Sequence, residues 1–197
     1  MSTDFALLVA NLRRFYDFTG KEVLFVGAGG GQLLDPAVRP ARGIAIDPDR
    51  EALEVLRRKV AALRLDSFEY LASPFDEVTR RGDVVYFEFC LHEMANPAHA
   101  LTHARTLAPE VVVFDHAAGS PWVYYAAEDE MIRRSSEAIQ RFGVRRSFDF
   151  SAQQEFKDHA ELLAKLAPQG SAAVARAAEF AGRANIVIPM PCMLALL

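Results

Sequence analysis

Hydrophobic and polar positions along this chain alternate between two rhythms. Short unbroken apolar runs give way to longer stretches in which apolar residues recur every three or four positions. Phe5, Leu8, Val9, Leu12, Phe15 and Tyr16 share one face of a helix over residues 4–18, with Thr3 or Asp4 placed to cap its start and Gly20 to end it. Glu22–Val26 is a short apolar run bounded by glycine, which predicts a buried strand. Gly43–Ile46, Ser67–Leu71, Val84–Phe89 and the valine-rich Val111–Phe114 predict four more. Between them, residues 49–63 are amphipathic through Leu53, Leu56, Val60 and Leu63, and Ala98–Leu107 reads as a further helix. Ser73–Arg80 is a short helix or loop, and Asp35–Arg39 a helical turn cut by Pro36 and Pro40.

Strands joined by helices at this spacing predict βαβ units and a mostly parallel sheet. After residue 119 the pattern changes. Residues 120–142 read as helical and aromatic at their start, Arg146–Phe150 as a short strand, and 152–166 and 171–182 as helices. Asn185–Leu196 should hold the last strand or a hairpin, with Pro189 and Pro191 placing part of it at an edge or bulge. The expectation is an α/β fold: a doubly wound, mostly parallel seven-stranded sheet in a three-layer α/β/α arrangement. With no internal repeat and no linker, residues 1–197 form one domain.

Composition narrows the function classes. The chain is 51% apolar and 24% charged with a formal net charge of -4, so it lacks the basic excess of a nucleic-acid binder. Its arginine pairs, such as Arg13-Arg14 and Arg133-Arg134, are scattered over predicted helices and read as solvated faces. Cys90 and Cys192 have neither CxxC nor zinc spacing and read as buried thiols. The apolar stretch from Asn185 is too short for a bilayer and is broken by two prolines, and the first residues lack a secretory pattern. A soluble, cytoplasmic protein with no membrane or nucleic-acid partner is expected.

The segment Val23-Leu24-Phe25-Val26-Gly27-Ala28-Gly29-Gly30-Gly31-Gln32 follows a strand and carries the first chemistry. Glycines there permit a tight turn and a close ligand approach. The pattern is GxGxG, whereas a dinucleotide fingerprint needs glycine at position 32 and a Walker loop needs Gly-Lys-Ser/Thr. Asp47 follows Gly27 by twenty residues and closes the next strand, where a carboxylate can accept from both hydroxyls of a ribose.

On these residues, with Ile44–Asp47 and Asp83–Met94, the chain resembles the class I S-adenosylmethionine (SAM)-dependent methyltransferases, in particular small members of the type 11 and 12 kind. The likeness covers roughly residues 20–118. It implies SAM as cofactor, with Gly27, Ala28, Gly29 and Gly31 at its methionine portion, Asp47 and Pro48 at the ribose, and Ser73 and Pro74 beside the adenine. The family's usual acid two residues before the first glycine is replaced by Phe25. Backbone carbonyls near Gly27 and Phe89 are then the groups left for the SAM ammonium. Two other readings stay open: a non-catalytic SAM-binding protein, suggested by Phe25, and an NAD-dependent oxidoreductase, disfavoured by Gln32.

Ligands of open α/β sheets sit beyond the carboxyl ends of the strands. His92, Glu93, Asp115 and His116 follow two such ends. Methyl transfer is an SN2 displacement that needs alignment, dryness and, for an acidic acceptor, a base. His92 and His116 are the candidate catalytic bases, and Glu93 a substrate-binding residue. The same Leu-His-Glu segment can instead cap a helix, and the adjacent pairs lack metal-ligand spacing, so no metal is expected. Gly119-Ser120-Pro121-Trp122-Val123-Tyr124-Tyr125 opens a possible acceptor-site lid over residues 119–150, with Trp122, Tyr124 and Tyr125 as candidate substrate-binding residues. Packing of these aromatics into the core is the alternative, and Glu128, Arg133 and Arg134 read first as a solvated face. Size and charge favour a small-molecule acceptor.

Overall fold

A computed structural model describes residues 2–29, 31, 34, 39–65 and 67–197. The strands are β1 (Ser2–Thr3), β2 (Glu22–Val26), β3 (Arg42–Ile46), β4 (Phe68–Leu71), β5 (Val84–Glu88), β6 (Glu110–His116), β7 (Arg146–Asp158) and β8 (Ala184–Leu196). The helices are α1 (Phe5–Phe15), α2 (Arg50–Ala62), α3 (Pro97–Leu107), α4 (Pro121–Ala126), α5 (Asp129–Phe142), α6 (His159–Leu166) and α7 (Ser171–Ala177). The turn expected over 35–39 lies outside the described residues up to position 38, as does Gln32.

One sheet runs in the order β1-β7-β8-β6-β5-β2-β3-β4. Strands β2 to β6 are parallel, whereas β8 and β7 add antiparallel. Seven of these strands correspond to expected ones. The eighth, β1, is a two-residue pairing of Ser2 and Thr3 with Glu155 and Gln154. From β2 the chain steps outward to β3 and β4, then returns past β2 to β5 and β6. The switch point therefore lies between β2 and β5, at the mouth of the glycine loop.

Unbroken apolar runs make the inner strands because both faces of the sheet are covered. Val23 and Phe25 of β2, and Val84 and Tyr86 of β5, enter one core with Leu8, Leu12, Leu53 and Leu56 of α1 and α2. Their neighbours Leu24, Val26, Val85 and Phe87 enter a second core with Leu101 and Ala104 of α3 and Ile139 of α5. These are the three expected layers. Asp4, Asp49 and Asn96 cap α1, α2 and α3, each accepting from backbone N–H groups of the first turn.

The antiparallel part departs from the sequence pattern. The helix expected over 152–166 begins only at His159, because β7 continues to Asp158. Ala152, Gln154 and Phe156 alternate inward in β7, and pairing with β8 outweighs the helix propensity of the segment. The break carries a signal: the Asp158 carboxylate accepts from Glu161 N–H and the Glu161 carboxylate from Lys157 N–H, which resembles a capping box. The expected helix over 120–142 divides at Ala127, whose φ is 60°. That over 171–182 ends at Ala177 and continues as a 3-10 turn over Ala178–Phe180.

β8 pairs with β6 only from Cys192 to Leu196, and its earlier residues extend past the end of β6. Ala117 N–H donates to the Pro191 carbonyl at 2.9 Å, so the peptide edges of Pro191 and, by alternation, Pro189 face away from β7. Neither proline interrupts the β7 ladder, which agrees with the expected edge placement. Among the described residues no helix is long and apolar enough to cross a membrane.

Candidate active site

At the switch point, β2 leads into a loop in which Gly27, Gly29 and Gly31 all have positive φ. The reasons for glycine differ along the loop. A Cβ on Gly27 would come within 2.6 Å of the Cys90 Sγ, and one on Gly31 would strike the Leu56 side chain. Those two positions are kept bare by the protein's own packing, and Gly27 also lines the crevice beside Asp47. A Cβ on Gly29 would meet only the Gly27 carbonyl oxygen, at 3.8 Å. The loop N–H groups are also engaged: Ala28 donates to Ile46 O, Gly31 to Ala28 O, and Gly29 to Asp47 Oδ2 at 2.9 Å.

Asp47 is thereby fixed. Its Oδ2 accepts from Gly29 and its Oδ1 from Asp49 N–H at 2.9 Å. Each carboxylate oxygen keeps capacity for a second donor. Asp47 stands on the wall of a crevice of about 410 Å³ with Gly27, Pro48, Ser73, Pro74, Phe75 and Glu93. Of the residues expected at the cofactor, Ala28, Gly29, Gly31 and Phe89 do not line it. Asp76, Met94, Asn96 and His99 do, and the sequence reading had not assigned them. Where the acid is missing, Phe25 is buried against Phe18, Phe68 and Tyr86.

On the other side of Glu93 lies a second cavity of about 260 Å³. It brings together His92, Glu93, His116 and Trp122, all expected near the acceptor. Phe89, at φ 48°, lines this cavity, its ring 4.8 Å from that of His116. Phe5 and Leu8 of α1, Gln154 of β7, Lys165 of α6 and Met190 of β8 complete much of the wall. Gln154 and Met190 escaped notice because their strand pairing was not apparent. Glu128, read first as solvated, is buried and faces the cavity. Tyr124 and Tyr125 do not line it. Tyr124 is exposed under the Arg176 guanidinium, and Tyr125 bonds Glu179 and packs on Phe180. Arg133 pairs with Glu130 and Glu137 on the surface.

A buried polar chain orders the cavity floor. Asp115 Oδ1 lies 2.7 Å from His92 Nδ1 and accepts from His116 N–H at 2.8 Å. His92 Nε2 is 3.9 Å from Glu128 Oε2. The two histidines are tuned in opposite directions. Burial pulls His92 down, but the Asp115 bond and charge, with Glu128 and Glu93, outweigh it and raise the group above its ordinary value. Burial lowers His116 to about 4, so it is neutral at pH 7, and its Nδ1 has no hydrogen-bond partner among the described residues. Burial also raises Glu128, against the opposing charge of His92. No group of three or more His, Cys, Asp or Glu is arranged to hold a metal ion among the described residues.

No protein-family model matches the chain, and no curated protein matches it in sequence. Solved structures do. A candidate methyltransferase from Bacillus halodurans superposes with a TM-score of 0.72 at 15% identity, over 95% of this chain and 96% of its own. A candidate RNA methyltransferase from Pyrococcus horikoshii gives 0.58 at 16% identity, over 98% and 80%. Magnesium protoporphyrin IX methyltransferase from Synechocystis PCC 6803, solved with bound SAM, gives 0.54 at 13% identity, over 97% and 77%. The chain therefore has the Rossmann-like fold found in these proteins.

Proposed function

We propose that the chain is a SAM-dependent methyltransferase acting on a small-molecule acceptor. The observation that carries this reading is the meeting of two cavities at Glu93, one walled by Gly27 and Asp47, the other by two histidines that both bond Asp115. The crevice suits an adenosyl amino acid. It is roomy, and its acidic wall is preset by two backbone N–H groups. When bound, SAM supplies a methyl group made electrophilic by its sulfonium.

The remaining work belongs to this chain's residues. Asp47 accepts from the ribose hydroxyls beside Pro48, and Ser73 and Pro74 flank the adenine. Gly27 and the Phe89 carbonyl border the methionine end. Trp122 and Glu93 wall the acceptor. Asp115 accepts the Nδ1 proton of His92 and leaves Nε2, on the cavity side, to take a proton from the acceptor. His116 is a second candidate base, but its low pKa suits it better to a neutral hydrogen bond. Small-molecule acceptors are favoured by the size of the second cavity.

Incubation with methyl-labelled SAM and a fractionated metabolite extract tests the reading. Transfer of label to a small molecule, abolished in His92→Ala, is expected. SAM binding by calorimetry with no labelled product in any fraction would leave a binding protein, and absence of SAM binding would end both readings.

A further inference from the structure

We propose that the second cavity takes a protonated amine, with the Glu128 carboxylate as its anchor. The inference deepens the methyltransferase reading and rests on it for calling this cavity the acceptor site.

Glu128 ends the short link between α4 and α5. Its residue exposure is 5%, yet its side chain accepts no capping bond from α5. The nearest charged partner, His92 Nε2, stands 3.9 Å away, beyond hydrogen-bond range. Among the described residues no donor bonds this nearly buried carboxylate, which is costly unless something else supplies one. The cavity it faces is where a donor can enter. His116 on the same wall adds a buried polar atom, Nδ1, without a partner among the described residues.

The charges around the site choose the sign of the guest. Glu128, Glu93 and Asp115 are carboxylates, facing one another across His92. Against them stand His92, a neutral His116, and Lys165 at the exposed mouth. Even with His92 protonated, carboxylates outnumber cations, so a cation is attracted and an anion must pass only Lys165 before meeting Glu93 and Glu128. Phe5, Phe89 and Trp122 offer ring surface to an alkylammonium. An alcohol brings a single neutral donor. A bound ammonium instead makes a charge-assisted bond to Glu128. When it yields a proton to a neutral His92, the N–H bond breaks, a bond to Nε2 forms, and the nitrogen keeps the electron pair as its nucleophile.

Trp122 is the chain's single tryptophan and lines the cavity, so its fluorescence reads occupancy without turnover. Benzylamine, benzyl alcohol and benzoate would be titrated in turn at about pH 8, above the ordinary histidine range. Saturable quenching by benzylamine is expected, about tenfold or more tighter than by benzyl alcohol, with benzoate weakest. Glu128→Gln should bring benzylamine down to the alcohol's affinity, and Glu128→Asp should keep part of the preference. Equal affinity for amine and alcohol, tighter benzoate, no saturable benzylamine binding, or a preference surviving in Glu128→Gln would overturn the proposal. Should Glu128→Gln fail to fold, the wild-type ranking and Glu128→Asp decide. SAM calorimetry on the same sample separates the two readings. SAM binding without amine preference removes only this inference, and amine preference without SAM binding removes only the methyltransferase reading.

Discussion

The two cavities that meet at Glu93 are built from different materials. The crevice lies where parallel strands end, and main chain fixes its acid: Gly27 opens the wall beside a loop of positive-φ glycines, and N–H groups of Gly29 and Asp49 hold the Asp47 carboxylate. The second cavity is made of side chains delivered by α1, α4, α6, β7, β8 and the ends of β5 and β6. In the first, four short segments that follow the carboxyl ends of parallel strands β2, β3, β4 and β5 set the geometry, and few positions are free to change. In the second, each wall residue is a separate choice, so the preference for an acceptor can shift one residue at a time while the crevice stays as it is.

Mutation and pH can break or sharpen this contrast. The largest effect is expected at Asp115, which serves His92 Nδ1 and the His116 N–H from within the core. Asp115→Ala strands these donors and should cost about 3–5 kcal/mol of unfolding free energy, measured by denaturant titration. A loss below about 1 kcal/mol would show that the polar floor is not a structural unit of the cavity. Next comes His116. Its folded pKa of about 4 lies below the ordinary 6.5, so the unfolded chain takes up the proton first as pH falls. Stability should drop by about 3 kcal/mol between those two values, and His116→Phe should flatten that acid limb. His92 is raised, so its contribution is present at pH below 6.5 and is lost as pH climbs through its folded value.

In the crevice, Asp47→Ala should weaken SAM binding by about tenfold to a hundredfold in calorimetry, since a charge-assisted bond is worth about 1.5–3 kcal/mol. Unchanged affinity would mean that the ribose lies elsewhere. The smallest effect is expected at Tyr124, exposed beside the Arg176 guanidinium and the edge-on Tyr125 ring. Tyr124→Ala should change stability by about 0.5 kcal/mol or less and leave methyl transfer intact. A large loss of transfer there would return the aromatic cluster to the acceptor site.

The same contrast explains what the sequence made legible. Gly27 and Asp47 follow strands whose apolar runs are unmistakable, because β2 and β3 are buried on both faces; Ser73 and Pro74 follow the half-buried edge strand β4, legible through Phe68, Tyr70 and Leu71, and the crevice lies where these strands end. His92 and His116 were legible for the same reason. Gln154 and Met190 were not, since β7 and β8 owe their strand form to each other. Residues 152–158 contain helix formers, and their period-2 burial becomes visible only beside β8. Glu128 was hidden differently: a glutamate next to Asp129 and Glu130 looks solvated, and only the turn at Ala127 directs it inward. The reasons for the glycines were likewise half visible. The turn was readable, whereas the packing of Cys90 against Gly27 joins residues 63 positions apart.

The overhang of β8 beyond β6 has a consequence for the molecule among its copies. A strand left without a neighbour on one side is an invitation to polymerise, because its backbone dipoles can zip onto any extended segment that drifts past. At Pro189 that rim has no hydrogen to offer, and at Pro191 it also has its carbonyl taken by Ala117 N–H, so a would-be guest strand finds an imino ring and an engaged acceptor where it needs partners. The sheet can therefore reach out over the cavity it helps to wall without becoming adhesive.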